Sequence, residues 1–390
     1  MLLPTRELPF EVPSYSLTGD ILAFQTCGLQ YRYYSGSSLP PSRPVQIWTG
    51  EFVHGALEDA YRLWLERQFP FPWPVNPTPF PRPDPLPERA ANDIGTIGDR
   101  VEARLAASGK RPRNRDAREA VYRRVASAIN ELGPHLFPLI TAAEERISGT
   151  RAMPEIAGRV ARGDRYELTG IVDVISSVQL GCDSTNPLVT MLQEHLPGRA
   201  GVFDIIVDYK ASRRPSSTND FWVNQQWQVQ TYAWLRGQSA TANPIGAGVI
   251  VYVDELAPSA TELTVFKKEL EARTADVAPP TGSADWYAIQ RWRSGADLPE
   301  LTFDFRLKRA VRIISVTSTD VDAAVRAIDG VVERIEASAV HEFNTGDIVS
   351  NWSACGGEAT CVACDFQTFC PEPHAHRGNP HEPRPASAPG

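Results

Sequence analysis

The chain has 390 residues, enough to bury a full core in one large domain with insertions or in two domains. Its 42% hydrophobic and 22% charged residues are ordinary for a globular protein, and no apolar run is long enough to span a bilayer. A formal charge of −8 excludes a uniformly basic nucleic-acid binder, so any contact with phosphates must come from a local patch.

The opening residues, MLLPTRELPFEVPSY, lack the basic stretch and sustained apolar run of a secretory signal. The expected compartment is the cytoplasm, with no membrane partner, where thiols stay reduced. Six cysteines in that setting suggest metal before disulfides. Residues 15–35 predict a capped helix: Ser16 or Thr18 caps, and Ile21, Leu22, Phe24 and Cys27 follow before Gly28. TGEFVHGALEDAYRLWLERQF predicts a second helix. Its apolar stripe is Val53, Ala56, Leu57, Ala60, Leu63 and Trp64, with His54 on the flank.

Residues 68–88 hold nine prolines and predict an extended connector rather than helix or central strand. Residues 90–145, rich in Ala, Arg and Glu, predict helices broken at Gly133-Pro134. Within them Lys110, Arg111, Arg113, Arg115, Arg118, Arg123 and Arg124 crowd together, diluted by Asp116 and Glu119. That cluster fits a DNA-contacting arch, with Lys110, Arg111, Arg113 and Arg115 as candidates, and equally a solvated helix face.

Strands are predicted in RYELTGIVDVISSV, GVFDIIVDYKAS, GAGVIVYVDEL, ELTVFKKEL and RAVRIISVTS. Residues 178–200 read as an inserted loop with a short helix. FWVNQQWQVQTYAWLRG and DVDAAVRAIDGVVERIEAS read as helices, and the last residues as disordered. Trp222, Trp227 and Trp234 on the first of these helices could stack bases, although core packing fits at least two of them.

The chemistry concentrates in FDIIVDYKAS. Side chains two apart on a strand share a face, so Asp208 and Lys210 project together and Tyr209 points the other way. A buried acid and amine are costly unless paired or bound to a metal. TGIVDVI places Asp173 on another strand. Two carboxylates and an amine suit a hard divalent cation such as Mg²⁺, which also binds phosphate oxygens and acidifies a bound water. Gln228 and Tyr232, four apart on a helix, share one face. Taken singly, each residue has a plain reading: a strand-end ion pair, a packing histidine, an amphipathic helix face. The joint order is what points to a nuclease.

In that order, a histidine helix, GIVD, DYK and QVQTY, the sequence resembles the PD-(D/E)XK nuclease superfamily in its RecB-like branch. The resemblance implies a restriction-endonuclease-like α/β fold, a mixed sheet flanked by helices, with a helical insertion and a Cys-rich C-terminal segment. It implies Mg²⁺ or Mn²⁺ on His54, Asp173, Asp208 and the Tyr209 carbonyl. Lys210 would be catalytic, with Gln228 and Tyr232 holding the site or the DNA strand. CVACDFQTFC supplies Cys361, Cys364 and Cys370, and iron–sulfur members of the branch add one cysteine before the histidine helix. The resemblance thus implies a [4Fe–4S] cluster on Cys27, Cys361, Cys364 and Cys370. Cys355 leaves a local zinc site without Cys27 open, and Cys182 reads as a reduced structural thiol.

The expected organisation is an N-terminal segment over 1–66, a connector and helical insertion over 67–140, a nuclease core over 141–340, an iron–sulfur segment over 341–372 and a disordered tail over 373–390. Two departures from the compact family core stand out. The stretch between Asp173 and Asp208 is long, and Asp204 is a competing acid without a lysine two residues on. The expected function is metal-dependent DNA cleavage, exonucleolytic or end-processing, on single-stranded DNA or frayed ends, in DNA repair or phage defence. The sequence has no G-x-x-x-x-G-K-[ST] loop, so duplex opening would need a separate helicase, and an integrase is another expected partner. The alternative is a non-catalytic binding or assembly subunit that keeps the fold.

Overall fold

The computed structural model describes residues 12–37, 44–79, 88–156, 163–181, 184–216, 221–240, 242–354, 357, 360, 361, 364–367, 370 and 371. Cys182, Cys355 and the tail expected to be disordered lie outside these residues. Among the described residues there are six strands: β1 (Ser14–Ser16), β2 (Ile140–Ala152), β3 (Arg165–Leu180), β4 (Gly201–Lys210), β5 (Ile245–Tyr252) and β6 (Val311–Ser315). The chain forms two units. One comprises 1–43, 148–170 and 323–390, the other 44–147 and 171–322.

The larger unit is built on the order β3-β4-β5-β6. β3 and β4 are antiparallel, β4 and β5 parallel, β5 and β6 antiparallel, which makes the sheet mixed. β4 is central, and Ile205, Ile206 and Val207 are wholly buried, so an unbroken apolar run rather than an alternating one is what both faces demand. The histidine helix (Pro44–Arg67) packs Phe52, Val53, Ala56, Leu57 and Ala60 into the same core as Val174, Val207 and Val249. Burying each larger apolar side chain contributes about 1.5–3 kcal/mol. The helix Phe221–Arg236 lies so close to β5 that a Cβ at Gly248 would sit 2.1 Å from Val229. Only glycine permits that approach, and it sets the depth of the helix that carries Gln228 and Tyr232.

The described part of the proline-rich connector, 68–79, has neither helix nor strand, as its composition demands. Two predicted elements differ. ELTVFKKEL is not a strand but lies within the helix Ala260–Ala272, started by a capping box in which Ser259 and Glu262 satisfy each other's backbone N–H groups. Residues 140–145 are not helix but the start of β2, where pairing with β3 overrides the helix preference of Ala and Glu.

In the smaller unit β1 runs parallel to the first half of β3, from Ser14↔Glu167 to Ser16↔Thr169. The long helix Ser318–Thr345 is fastened there by ion pairs and hydroxyls. Arg151 grips Asp329 through two nitrogens at 2.7 and 2.6 Å, and the Tyr166 hydroxyl donates to Asp329 at 2.7 Å. Arg32 grips Glu342 in the same bidentate way, and Trp352 Nε1 donates to Glu342 at 2.7 Å. Among the described residues no helix is long and apolar enough to cross a membrane.

Candidate metal and active site

The β3–β4 ladder runs from Leu180↔Gly201 to Val174↔Val207 and stops. One further step of that register sets Asp173 against Asp208. Two carboxylates facing each other across a strand pair repel, so the sheet places like charges together where its pairing ends. Asp208 is buried, and burial pushes its carboxyl upward; Lys210 opposes the shift and Asp173 adds to it. Lys210 Nζ lies 2.6 Å from Asp208 Oδ2, which bears out the shared face of the two residues.

Gln228 is the clasp of this arrangement. Its Oε1 accepts from Lys210 Nζ at 3.1 Å, and its Nε2 donates to Asp208 Oδ1 and to the Tyr232 hydroxyl, both at 3.1 Å. Gln228 and Tyr232 are both buried, and burial raises the Tyr232 phenol above its ordinary range. Both side chains therefore point at the acid–amine pair, as their spacing predicts.

Asp173 has partners of its own beside this pair. Its Oδ2 accepts the Tyr209 backbone N–H at 2.8 Å, and its Oδ1 lies 3.3 Å from His54 Nδ1. The N–H and C=O of one strand residue point to the same edge, so the Tyr209 carbonyl also faces the side where Asp173 sits. Burial works against a charged imidazole at His54, but Asp173, with Asp208 behind it, outweighs that and raises the ring to about 9.

Glu144 is the residue the sequence did not single out. Ligand atoms of His54, Glu144 and Asp173 all lie within 4.8 Å of one another. They line a small hollow together with Glu58 and Tyr209. Burial, followed by the charges of Asp173 and Glu58, pushes the Glu144 carboxyl to about 7. Its backbone φ is 51°, a left-handed conformation uncommon outside glycine. Imidazole, carboxylates and a carbonyl are the donor set that Mg²⁺ and Mn²⁺ accept, and these residues fit such an ion.

The basic cluster is less available than its sequence suggests. Lys110 is paired with Glu51, and Arg115 with Glu119. Arg118 is buried on Glu102, and Arg124 is buried against Asp254 and Glu262. Arg111 and Arg113 are exposed. Trp227 and Trp234 are half-buried.

The four expected cluster cysteines all fall in the smaller unit. Cys27, Cys361 and Cys364 are buried and Cys370 is half-buried. Burial raises the Cys364 thiol, and Cys27 and Cys370 raise it further, which places both within electrostatic reach of it. Cys27 Sγ accepts the Gln30 N–H at 3.5 Å, and Cys364 Sγ accepts the Phe366 N–H at 3.4 Å. Buried sulfurs that accept backbone N–H groups fit an iron–sulfur cluster.

No curated protein matches the chain. A solved structure described as "Crystal structure of SSO0001" is 12% identical, covering 93% of this chain and 87% of that one. Its TM-score of 0.30 is too low to bear on function. Residues 19–181, which carry His54, Glu144 and Asp173, match the family model of the PD-(D/E)XK nuclease superfamily.

Proposed function

We propose that the protein is a metal-dependent deoxyribonuclease of the RecB-like branch that processes single-stranded DNA or frayed ends, in repair, recombination or phage defence. The observation that carries this reading is the meeting of Asp173, Asp208 and Lys210 at the point where β3 and β4 part. His54, Asp173, Asp208 and the Tyr209 carbonyl would hold the divalent cation. That ion supplies charge neutralisation at the phosphate and an acidified water. Lys210, held by Asp208 and Gln228, would donate a hydrogen bond to the attacking water and orient it. Gln228 keeps the amine and the carboxylate in fixed register, and Tyr232 keeps Gln228 in place. Duplex opening would fall to a separate helicase, or substrate delivery to an integrase partner.

The test is degradation of 5′- and 3′-labelled single-stranded DNA with Mg²⁺ or Mn²⁺, beside duplex and RNA arms. Lys210→Ala is expected to lower turnover by roughly 10²–10⁴-fold, the usual contribution of one positioned proton-transfer group. Cleavage that survives this change contradicts the assignment. A wild-type chain that binds DNA but never cleaves it is the outcome for a non-catalytic assembly subunit.

We read Cys27, Cys361, Cys364 and Cys370 as the holders of a [4Fe–4S] cluster. The support is that Cys27, from the far end of the sequence, acts electrostatically on Cys364 as the neighbouring Cys370 does. Protein purified without oxygen should be brown, with a visible band that Cys27→Ser removes. A colourless, zinc-loaded protein would instead favour the site that uses Cys355.

A further inference from the structure

The helix Ile94–Ala107 runs beside the histidine helix, where Val101 and Arg104 pack against Gly55, the neighbour of His54. It ends in a Schellman motif. The Gly109 N–H donates to the Ala106 carbonyl at 3.0 Å, and the Lys110 N–H to the Leu105 carbonyl at 2.9 Å. Gly109, at φ 79°, supplies the left-handed turn that the motif needs. The turn brings Lys110 to Glu51 and leaves a cavity of about 440 Å³ among Trp48, Ala106 and Pro112. Trp48 precedes His54 on the same helix by about 9 Å, at 1.5 Å per residue.

The interior of the cavity and its rim differ in chemistry. Trp48, Ala106 and Pro112 give apolar walls. The two buried charged residues that also line it, Arg118 and Glu102, satisfy each other through two hydrogen bonds at 2.7 Å. Such an interior has no charge to offer a phosphate, and it suits a flat, neutral ring. At the rim Lys110 is balanced by Glu51, but Arg111 is exposed. Among the described residues neither Arg111 nor the nearby, exposed Arg113 makes an ion pair. Apolar walls with a planar cation at the rim match a base and its phosphate, which is one nucleotide of a strand.

We propose that this cavity is a nucleotide subsite: it takes one unpaired base of the substrate strand, and Arg111 holds the adjoining phosphate. This rests on the nuclease reading and names how that substrate is gripped. At 3.4 Å per stacked nucleotide, an offset of about 9 Å sets the gripped base about three nucleotides from His54. A base inside the cavity has left its pairing partner, so the subsite selects single strands and frayed ends over duplex.

The test is photocrosslinking of the full chain to single-stranded DNA carrying 5-iodouracil, in EDTA, with the adducts mapped by mass spectrometry. Affinity for the same strand is read by fluorescence anisotropy, and its cleavage is assayed with Mg²⁺. The wild type is expected to form an adduct at Trp48. Ala106→Leu, which narrows the cavity from an exposed helix position, should lose that adduct and bind roughly 5- to 150-fold more weakly, the worth of one stacked base. Arg111→Gln should weaken binding and lower the salt slope by about 0.7. A wild type that cleaves DNA but has its adducts elsewhere overturns the subsite and leaves the nuclease reading standing. So does an Ala106→Leu chain with unchanged adduct and affinity. A wild type that forms the Trp48 adduct but never cleaves keeps the subsite and overturns the nuclease reading. One that neither binds nor cleaves overturns both. The wild-type adduct map decides the matter even if a variant fails to fold.

Discussion

Arg118 and Asp208 are buried in the same unit to nearly the same depth, 2% and 3% exposed, but their charges meet different company. Arg118 is closed off by protein. Its Nε and Nη2 donate to the two Glu102 oxygens at 2.7 Å, and its Nη1 donates to the Thr78 carbonyl at 2.7 Å. Arg89 stands 3.2 Å from Asp99 in the same network. Two guanidinium groups face two carboxylates, and the result pins the proline-rich connector at Thr78. Around Asp208, three carboxylates face one amine and one imidazole. The excess negative charge shows in Glu144, which burial and the neighbouring Asp173 and Glu58 push to about 7. Buried charge that the protein balances by itself holds a fold together. Buried charge left in excess makes this cluster a candidate site for a cation from outside.

The contrast can be broken at its balanced end. Arg118→Met leaves Glu102 buried without its cation, and removing one partner of a buried pair costs about 3–5 kcal/mol of stability. Urea unfolding should show that loss as a lowered midpoint with an unchanged slope. Adding Glu102→Leu removes the stranded charge and should recover much of it. Mn²⁺ binding by the folded single variant should match the wild type, because the network does not touch the metal site. A midpoint for Arg118→Met equal to that of the wild type would mean that this cluster is not a structural lock.

The parts of the site that were legible in the sequence are those fixed by one period inside one element. Asp208 and Lys210 are two apart on a strand, Gln228 and Tyr232 four apart on a helix, and His54 stands on the flank of an apolar stripe. The structure brings all of them together with Asp173. Glu144 was not legible for a physical reason. Ala142-Ala143-Glu144-Glu145 favours helix locally, and only pairing with β3 makes it strand. Its left-handed backbone is likewise set by its surroundings. ELTVFKKEL is helix because Ser259, just outside that run, and Glu262 cap its start, a pairing that the strand-forming Val265 and Phe266 do not reveal. The burial of Arg124 was not legible because its partners lie more than a hundred residues away, at Asp254 and Glu262. No local pattern reveals such a pairing.

A smaller effect sharpens the unbalanced end. In the folded chain without divalent ions, His54 titrates at about 9 against an ordinary 6.5, and Glu144 at about 7 against 4.5. Both groups hold their protons more tightly when folded, so both favour the folded state at low pH. The His54 contribution is complete below 6.5 and lost as pH rises through 9; that of Glu144 is complete below 4.5 and lost by 7. The melting temperature of the metal-free chain should therefore fall between pH 5 and 9. A divalent cation competes with these protons, because it needs a neutral imidazole and ionised carboxylates. The rise in melting temperature caused by Mg²⁺ should then grow from pH 6 to pH 9, toward about 2.7 kcal/mol when the ion stands at 100 times its Kd. His54→Gln should flatten the upper part of that growth, and Glu144→Gln the lower. Thermal melts with and without Mg²⁺ at each pH measure it. An increment that is flat or shrinks as pH rises would show that these two side chains do not share their protons' place with the metal.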